Sequence, residues 1–316
     1  MNWSSVFQFL DTDVPTQGLI WAIVALGVFI SFRILNVADM SVDTLFPFAG
    51  IVSLTLINLG VPALASLLIS VILGMAIGFI NAALHVYLKI NPLLAGIIVM
   101  IALYTPNVVI SKGNVTLSEG KNTIFTSFNN IWNNMIATKI VLLVLFVLAF
   151  FILIYWFFGT ELGLSLRASG KNEAMSKANG INTNSSYILG LVISSALIAL
   201  AGALYGQMTK HFTADAGKGS ITIGLAIIFL GDVIFSNKSF KMSLVSLVVG
   251  GLIYWLIIDI IIEIPSFNTN YLNLTKALFM TLVIAIYELK KVLLKKKNLK
   301  KLALSPKAVT QGDEAL

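Results

Sequence analysis

Cysteine is absent from all 316 residues, which excludes a disulfide framework, a thiolate metal site and a thiolate nucleophile. Histidine occurs only at His85 and His211, with no acid cluster beside either, so a metal site or a histidine base has no support. Charge is scarce: charged residues make up 11% of the chain, against about 25% in a soluble domain. No nucleotide-binding phosphate loop is present. Gly170-Lys171-Asn172 resembles the end of one, but Ser165 stands where the first glycine belongs and Asn172 where Ser or Thr is required, and no strand precedes them. A cleavable signal pattern is missing as well. Met1 to Gln17 is mixed, carries Asp11 and Asp13, and lacks a basic start followed by a short apolar core, so the first span is expected to be its own insertion signal.

What is abundant is hydrocarbon. Hydrophobic residues form 58% of the chain and the mean hydropathy is +0.93, which reads as an all-α, polytopic transmembrane bundle. Apolar runs predict spans at Gly18–Phe32, Leu45–Leu59, Ala63–Leu88, Pro92–Ile110, Ile140–Phe158, Tyr187–Gln207, Ile221–Phe235, Ser243–Ile262 and Leu272–Tyr287. That makes about nine, uncertain by one, and the second and seventh fall short of the ~20 residues needed to cross. These two are expected to be broken or re-entrant, enclosed by the longer spans. Residues 1–290 then form the transmembrane domain and residues 291–316 a basic tail.

The net charge of +7 does not point to nucleic acid, because eight lysines lie beyond residue 289, directly after the last apolar run. Such a cluster anchors the carboxyl terminus in the cytoplasm. Counting back puts the amino terminus and Ser111–Thr138 outside, and Arg33, Lys89, the segment after the fifth span, Lys238 and Lys241 inside. Trp132, Trp156 and Tyr155 flank the fifth span as an aromatic belt would.

Residues 163–185 are a polar segment set between two long spans, with Arg167, Lys171, Glu173 and Lys177 at helix-permissive spacing and Gly180 as a stop. A short charged helix held at the membrane surface is placed to dock on a soluble partner. The lead-ins to the two short spans, NVADMSVD and TADAGKGS, correspond in position and point to a pathway near the membrane midplane between two halves. Gly74/Gly78 and Gly202/Gly206 both read GxxxG, for packing within one subunit or for a subunit contact.

Asp39 and Asp43 are four apart, and serve either as pathway groups or as caps for the second span's amino terminus. Asp259 is a lone acid in an apolar run, a functional candidate by default or a group with a buried partner. Asn81 and His85, also four apart, read more simply as a satisfied packing pair than as ligands.

Several blocks resemble a known family. Arg33-Ile-Leu-Asn-Val-Ala-Asp-Met-Ser-Val-Asp43, then Phe46-Pro47, is similar to the DLTVDGSFP block of tryptophan/tyrosine ABC-transporter permeases, within the branched-chain amino-acid and ribose permease superfamily. Lys89-Ile-Asn-Pro-Leu-Leu-Ala-Gly-Ile-Ile-Val-Met, with Ala102-Leu-Tyr104 and Asn107, resembles that group's LLAGILVM and LYSIN blocks. Arg167, Ala168, Gly170, Asn172, Ala178, Gly180, Ile181 and Asn182 look like the superfamily's cytoplasmic loop. Ala201-Gly202-Ala203-Leu204, Gln207, Gly217, Gly219, Ile223-Gly-Leu-Ala226 and Gly231-Asp232 continue the match in family order. Thr44 and Leu45 depart from the group's Gly-Ser, which leaves substrate identity open, and Glu173 with Gly180 does not fit the EAA-x3-G loop of other importer classes.

The resemblance implies a permease subunit of an ATP-driven importer in the cell membrane, working as a dimer with a second permease copy. A cytoplasmic ATPase subunit would carry the ATP and Mg²⁺, since this chain holds no cofactor. An extracellular or lipid-anchored binding protein would deliver an amino acid, with an aromatic one suggested. The coupling residues would be Arg167, Ala168, Gly170, Lys171, Asn172, Glu173, Ala178, Gly180, Ile181 and Asn182. The pathway candidates are Asp39, Ser41, Asp43, Gly50, Tyr104, Asn107, Gly217, Gly219 and Gly224. A sugar, nucleoside or other small organic solute is the alternative cargo, and an ion-coupled secondary transporter the alternative class.

Overall fold

A computed structural model describes residues 3–132, 134–235, 239–262 and 271–303. The described chain is nearly all-α. Its order is α1 (Trp3–Val28, continued by a π-helical turn, Phe29–Ile34), α2 (Val42–Asn58), α3 (Ala63–Val86), α4 (Pro92–Ser111), β1 (Asn114–Thr116), α5 (Ile124–Trp132), α6 (Met135–Phe157), α7 (Glu161–Lys171), α8 (Glu173–Ala178), α9 (Thr183–Thr209), β2 (His211–Thr213), α10 (Ser220–Ile234), α11 (Phe240–Ile262) and α12 (Leu272–Ala303). Polar residues set the starts: Asn91, Asn134, Thr160, Asn172 and Asn182 each accept from a backbone N–H in the first turn of α4, α6, α7, α8 and α9.

Six of these helices are long and apolar enough to cross a bilayer: Val14–Ile34 and α3, α4, α6, α9 and α11. The other three expected spans fall in α2, α10 and the first half of α12; α2 and α10 have only 17 and 15 residues. Three local readings change. Helix α1 begins at Trp3, well before Gly18. The segment Ser111–Thr138, expected outside, holds a helix, α5, whose Ile124 and Phe125 are buried, and a strand, β1, paired antiparallel with β2. The basic segment from residue 291 continues α12 to Ala303 without a break, because its lysines and leucines are good helix formers. Residues 304–316 of the expected tail, Lys238 and the side chain of Trp132 lie outside the described residues.

Helices α1 and α9 form the centre: 83% and 67% of their apolar windows are buried, against 22–33% for α3, α4, α6 and α11. The two run antiparallel and meet closely at Gly27, where a Cβ would sit 2.9 Å from the Ser194 carbonyl, and Ser194 Oγ donates to the Gly27 carbonyl at 2.8 Å. Around this pair the packing crosses over along the chain. Helix α1 packs on α10 and α11, and α9 packs on α2 and α3. Gly74 and Gly78 of α3 abut Ala199 and Ser195 of α9, and Gly202 and Gly206 of α9 abut Phe46 and Gly50 of α2, so both GxxxG pairs serve packing inside the subunit. In the same way Gly224 of α10 abuts Val28 and Gly251 of α11 abuts Gly18.

One polar node ties α2, α3, α5 and α9 together. Gln207 is fully buried; its Oε1 accepts from Ile124 N–H at 3.1 Å, and its Nε2 donates to Ser53 Oγ and the Ala63 carbonyl, both at 3.0 Å. Gln207→Leu would strand the Ile124 N–H and the Ala63 carbonyl, at roughly 1–3 kcal/mol for each buried group left unpaired. The expected loss is about 2–4 kcal/mol, read as a lower thermal midpoint of the detergent-purified protein. An unchanged midpoint would refute the node's structural role.

Candidate functional site

The segment at the α7–α8 side is two helices, not one. Asn172 takes an extended backbone (φ −155°, ψ 100°), ending α7 and capping α8 through Met175 N–H at 3.0 Å. Gly180, at φ 78°, stops α8 in the left-handed region that glycine tolerates. Gly170 presses α7 against the end of the π-helical turn so tightly that a Cβ would overlap the Ile34 carbonyl. Arg167 turns back toward the bundle, its guanidinium 5.0 Å from the centroid of the Phe240 ring. Ala168 is half-buried beside it.

What projects is α8. Lys171, Asn172, Glu173, Lys177, Ala178 and Gly180 are exposed, Ile181 is half-buried and Asn182 caps α9. Glu173 and Lys177 pair at 2.6 Å, and that hydrogen bond holds the Glu173 carboxyl below its usual range. Met175, 60% exposed at the centre of this polar helix, was not singled out by sequence; an apolar tip in a charged frame is the signal that could have found it.

The second cluster lies where α2 and α10 begin. Asp43, in the first turn of α2, accepts from Gly219 N–H at 3.0 Å and from Ile221 N–H at 2.9 Å, so it caps the amino terminus of α10 rather than that of its own helix. Gly217 lies against the Asp43 carbonyl and Pro47, leaving no room for a Cβ. Asp39 is buried and accepts from Ser41 N–H at 2.9 Å and Asn81 Nδ2 at 2.8 Å. Ser41 is buried with it. Asn107 of α4 donates to the Thr44 carbonyl at 2.9 Å. Each of these polar groups fixes the loop-to-helix junction of α2 or α10.

On the open side of that junction stand three groups that belong together. Tyr104 OH donates to Asp215 Oδ1 at 3.3 Å, and Lys218 Nζ pairs with Asp215 at 2.7 Å. All three are exposed, the Asp215 and Lys218 side chains by 58% and 69%. Tyr104 lies seven residues before the end of α4 at Ser111, roughly 10 Å along the helix. Sequence inspection passed over Asp215 and Lys218, because an i,i+3 ion pair in a polar loop looks like ordinary solvation.

Gly50 and Gly224 are buried: a Cβ at Gly50 would lie 2.3 Å from the Phe212 ring, and one at Gly224 would lie 2.9 Å from Val28. His85 Nδ1 bonds the Ile90 carbonyl at 2.7 Å, with its ring 4.5 Å from that of Tyr187, and exposed His211 bonds the Thr209 carbonyl. Asp259 is half-buried on α11. No group of three or more metal-binding side chains occurs among the described residues.

Residues 12–287 match the family described as branched-chain amino acid transport system / permease component. The chain belongs to that family. It is therefore a multi-pass membrane permease of the ABC-importer type, a transport subunit in a class that works with an ATPase and a binding protein. Among relatives, the tyrosine transport system permease protein of Clostridioides difficile (strain R20291) is 36% identical over 306 residues, 96% of this chain and 98% of the relative. The D-allose transport system permease protein of Escherichia coli (strain K12) is 26% identical, covering 77% of this chain and 72% of the relative. The ribose import permease protein of the same strain is 25% identical, covering 76% and 74%. No solved structure matches.

Proposed function

We propose that this permease carries a zwitterionic amino acid, an aromatic one by preference, through a pathway shared by two copies of the chain. The observation that carries the substrate class is the Tyr104–Asp215–Lys218 group. An exposed ion pair about 10 Å inside the end of a membrane helix cannot face lipid, so this side of α4 and residues 214–219 faces water or a second subunit. The pair offers a cation for a carboxylate and an anion for an ammonium, with a phenol beside them. The tyrosine permease relative supports the aromatic preference. The allose and ribose relatives support a sugar as the second reading, in which hydroxyl contacts replace the charged ones.

The short helices α2 and α10, beginning head to head at Asp43, act as half-spans enclosed by the longer helices, giving about nine spans when α12 is included. With the basic end of α12 in the cytoplasm, α7 and α8 face the cytoplasm and the amino terminus lies outside. An ATPase subunit, holding ATP and Mg²⁺, docks on α8; a binding protein docks on the face carrying β1, β2 and α5. Coupling then runs from α8 through α7 and Gly170 to the end of α1.

Reconstitution with the ATPase and binding protein tests this directly: tyrosine uptake should exceed ribose uptake, and the reverse would favour the sugar reading. The docking assignment has its own test. Met175→Glu should cut ATPase co-purification at least about tenfold, since burying a methionine contributes roughly 1.5–3 kcal/mol. Undiminished co-purification would rule out α8 as the docking element.

A further inference from the structure

The groove between α6 and α11, on the side of the membrane that carries α7, has a composition that neither transport nor helix packing uses. Its walls are apolar, formed by Val147, Phe151 and Ile152 of α6 and Leu244, Val245 and Val248 of α11, around a space of ≈ 490 Å³. At Tyr155 it meets a second hollow of ≈ 430 Å³ lined by Trp156, Thr160, Arg167 and Phe240. Lys241 lies at this junction with its Nζ 5.1 Å from the Tyr155 ring centroid, and Arg167 lies 5.0 Å from that of Phe240. Neither cation is paired with a carboxylate among the described residues. The outer wall is open, with Leu148 56% and Ile152 65% exposed.

We propose that this groove holds one anionic glycerophospholipid, an acyl chain lying between α6 and α11 and the phosphate between Arg167 and Lys241. Three observations converge on that occupant. A slot with apolar walls that opens sideways from two membrane helices meets lipid, not water. Two cations stacked on aromatic rings at the end of the slot stand at headgroup height, where long basic side chains reach the interface. The complement of two unpaired cations is an anionic headgroup rather than a zwitterionic one. Because Arg167 belongs to α7, the lipid would bridge α7 to α6 and α11 and hold the surface helices in place. The inference needs only that the chain spans a membrane; it stands whatever the substrate.

The test is lipid retention by the full chain, purified from vesicles of equal phosphatidylglycerol and phosphatidylcholine and examined by native mass spectrometry. One phosphatidylglycerol per chain should survive detergent exchange. Arg167→Gln with Lys241→Gln should weaken retention about 25-fold, two basic contacts at roughly fivefold each. Arg167→Lys with Lys241→Arg should keep it. Val245→Trp, which fills the slot and leaves both cations, should also expel the lipid. Lys112→Gln with Lys121→Gln, at the opposite end of the bundle, should change nothing. Thermal midpoints of each variant separate lost lipid from lost fold. Equal retention of phosphatidylcholine, full retention in the double Gln variant, or displacement by free glycerophosphate would each overturn the proposal.

Discussion

Asp43→Ala should destabilise the protein by about 3–5 kcal/mol and abolish uptake, a larger effect than at any other single acid in the chain. The carboxylate bonds the backbone N–H groups of Gly219 and Ile221, and both lie at the exposed end of the α10 ladder, where no intrahelical acceptor exists. Removing it leaves two donors unpaired where the short helices meet, each a charge-assisted bond of roughly 1.5–3 kcal/mol. It also removes the negative charge that the α10 dipole favours. Asp43→Asn keeps one carbonyl oxygen and therefore one of the two bonds, so its loss should be about half as large. Thermal unfolding in detergent orders the three proteins as wild type, Asn, Ala. Were Asp43→Ala to unfold at the wild-type midpoint and still fail in uptake, Asp43 would be a pathway group and not the clasp between the short helices.

That distinction was out of reach of sequence alone, and the reason is physical. Spacing can show that Asp43 opens an apolar run, but a capping carboxylate has no signature of which helix it caps; the N–H groups that donate to it lie 176 and 178 residues away. Pattern served better where the period and the breaker coincide locally. The long spans, the short second and seventh runs and the stop at Gly180 are all local events, and the helices form where those signals stand. The surroundings of Gly50 and Gly224 are not local in this sense. A glycine in a short span suggests a lumen, whereas both fill close crossings, against Phe212 and Gly202 in one case and Val28 in the other. Arg167 shows the limit of charge patterning: it belongs to the polar segment by sequence, yet it turns inward onto Phe240 while α8 carries the exposed groups.

The most demanding expected result concerns Asp215 and Lys218. Both side chains are largely exposed, and an exposed ion pair adds little to stability, so single neutral substitutions should leave the thermal midpoint unchanged. Uptake should behave differently. Lys218→Gln removes the cation available to a carboxylate, and Asp215→Asn removes the anion available to an ammonium. Each should lower tyrosine uptake at least about tenfold while the binding protein keeps its affinity for the amino acid. The decisive variant exchanges the two, Asp215→Lys together with Lys218→Asp. An exchange restores attraction between the two side chains but reverses the field that a zwitterion meets beside Tyr104. If the pair only braces residues 214–219 against α4, the exchange rescues uptake. If the pair reads the two charges of the substrate, it does not, and Tyr104→Phe, which loses only the phenol's bond to Asp215, gives a partial loss. Full rescue by the exchange, or tyrosine uptake untouched by Lys218→Gln, would remove the amino-acid assignment and leave the sugar reading standing.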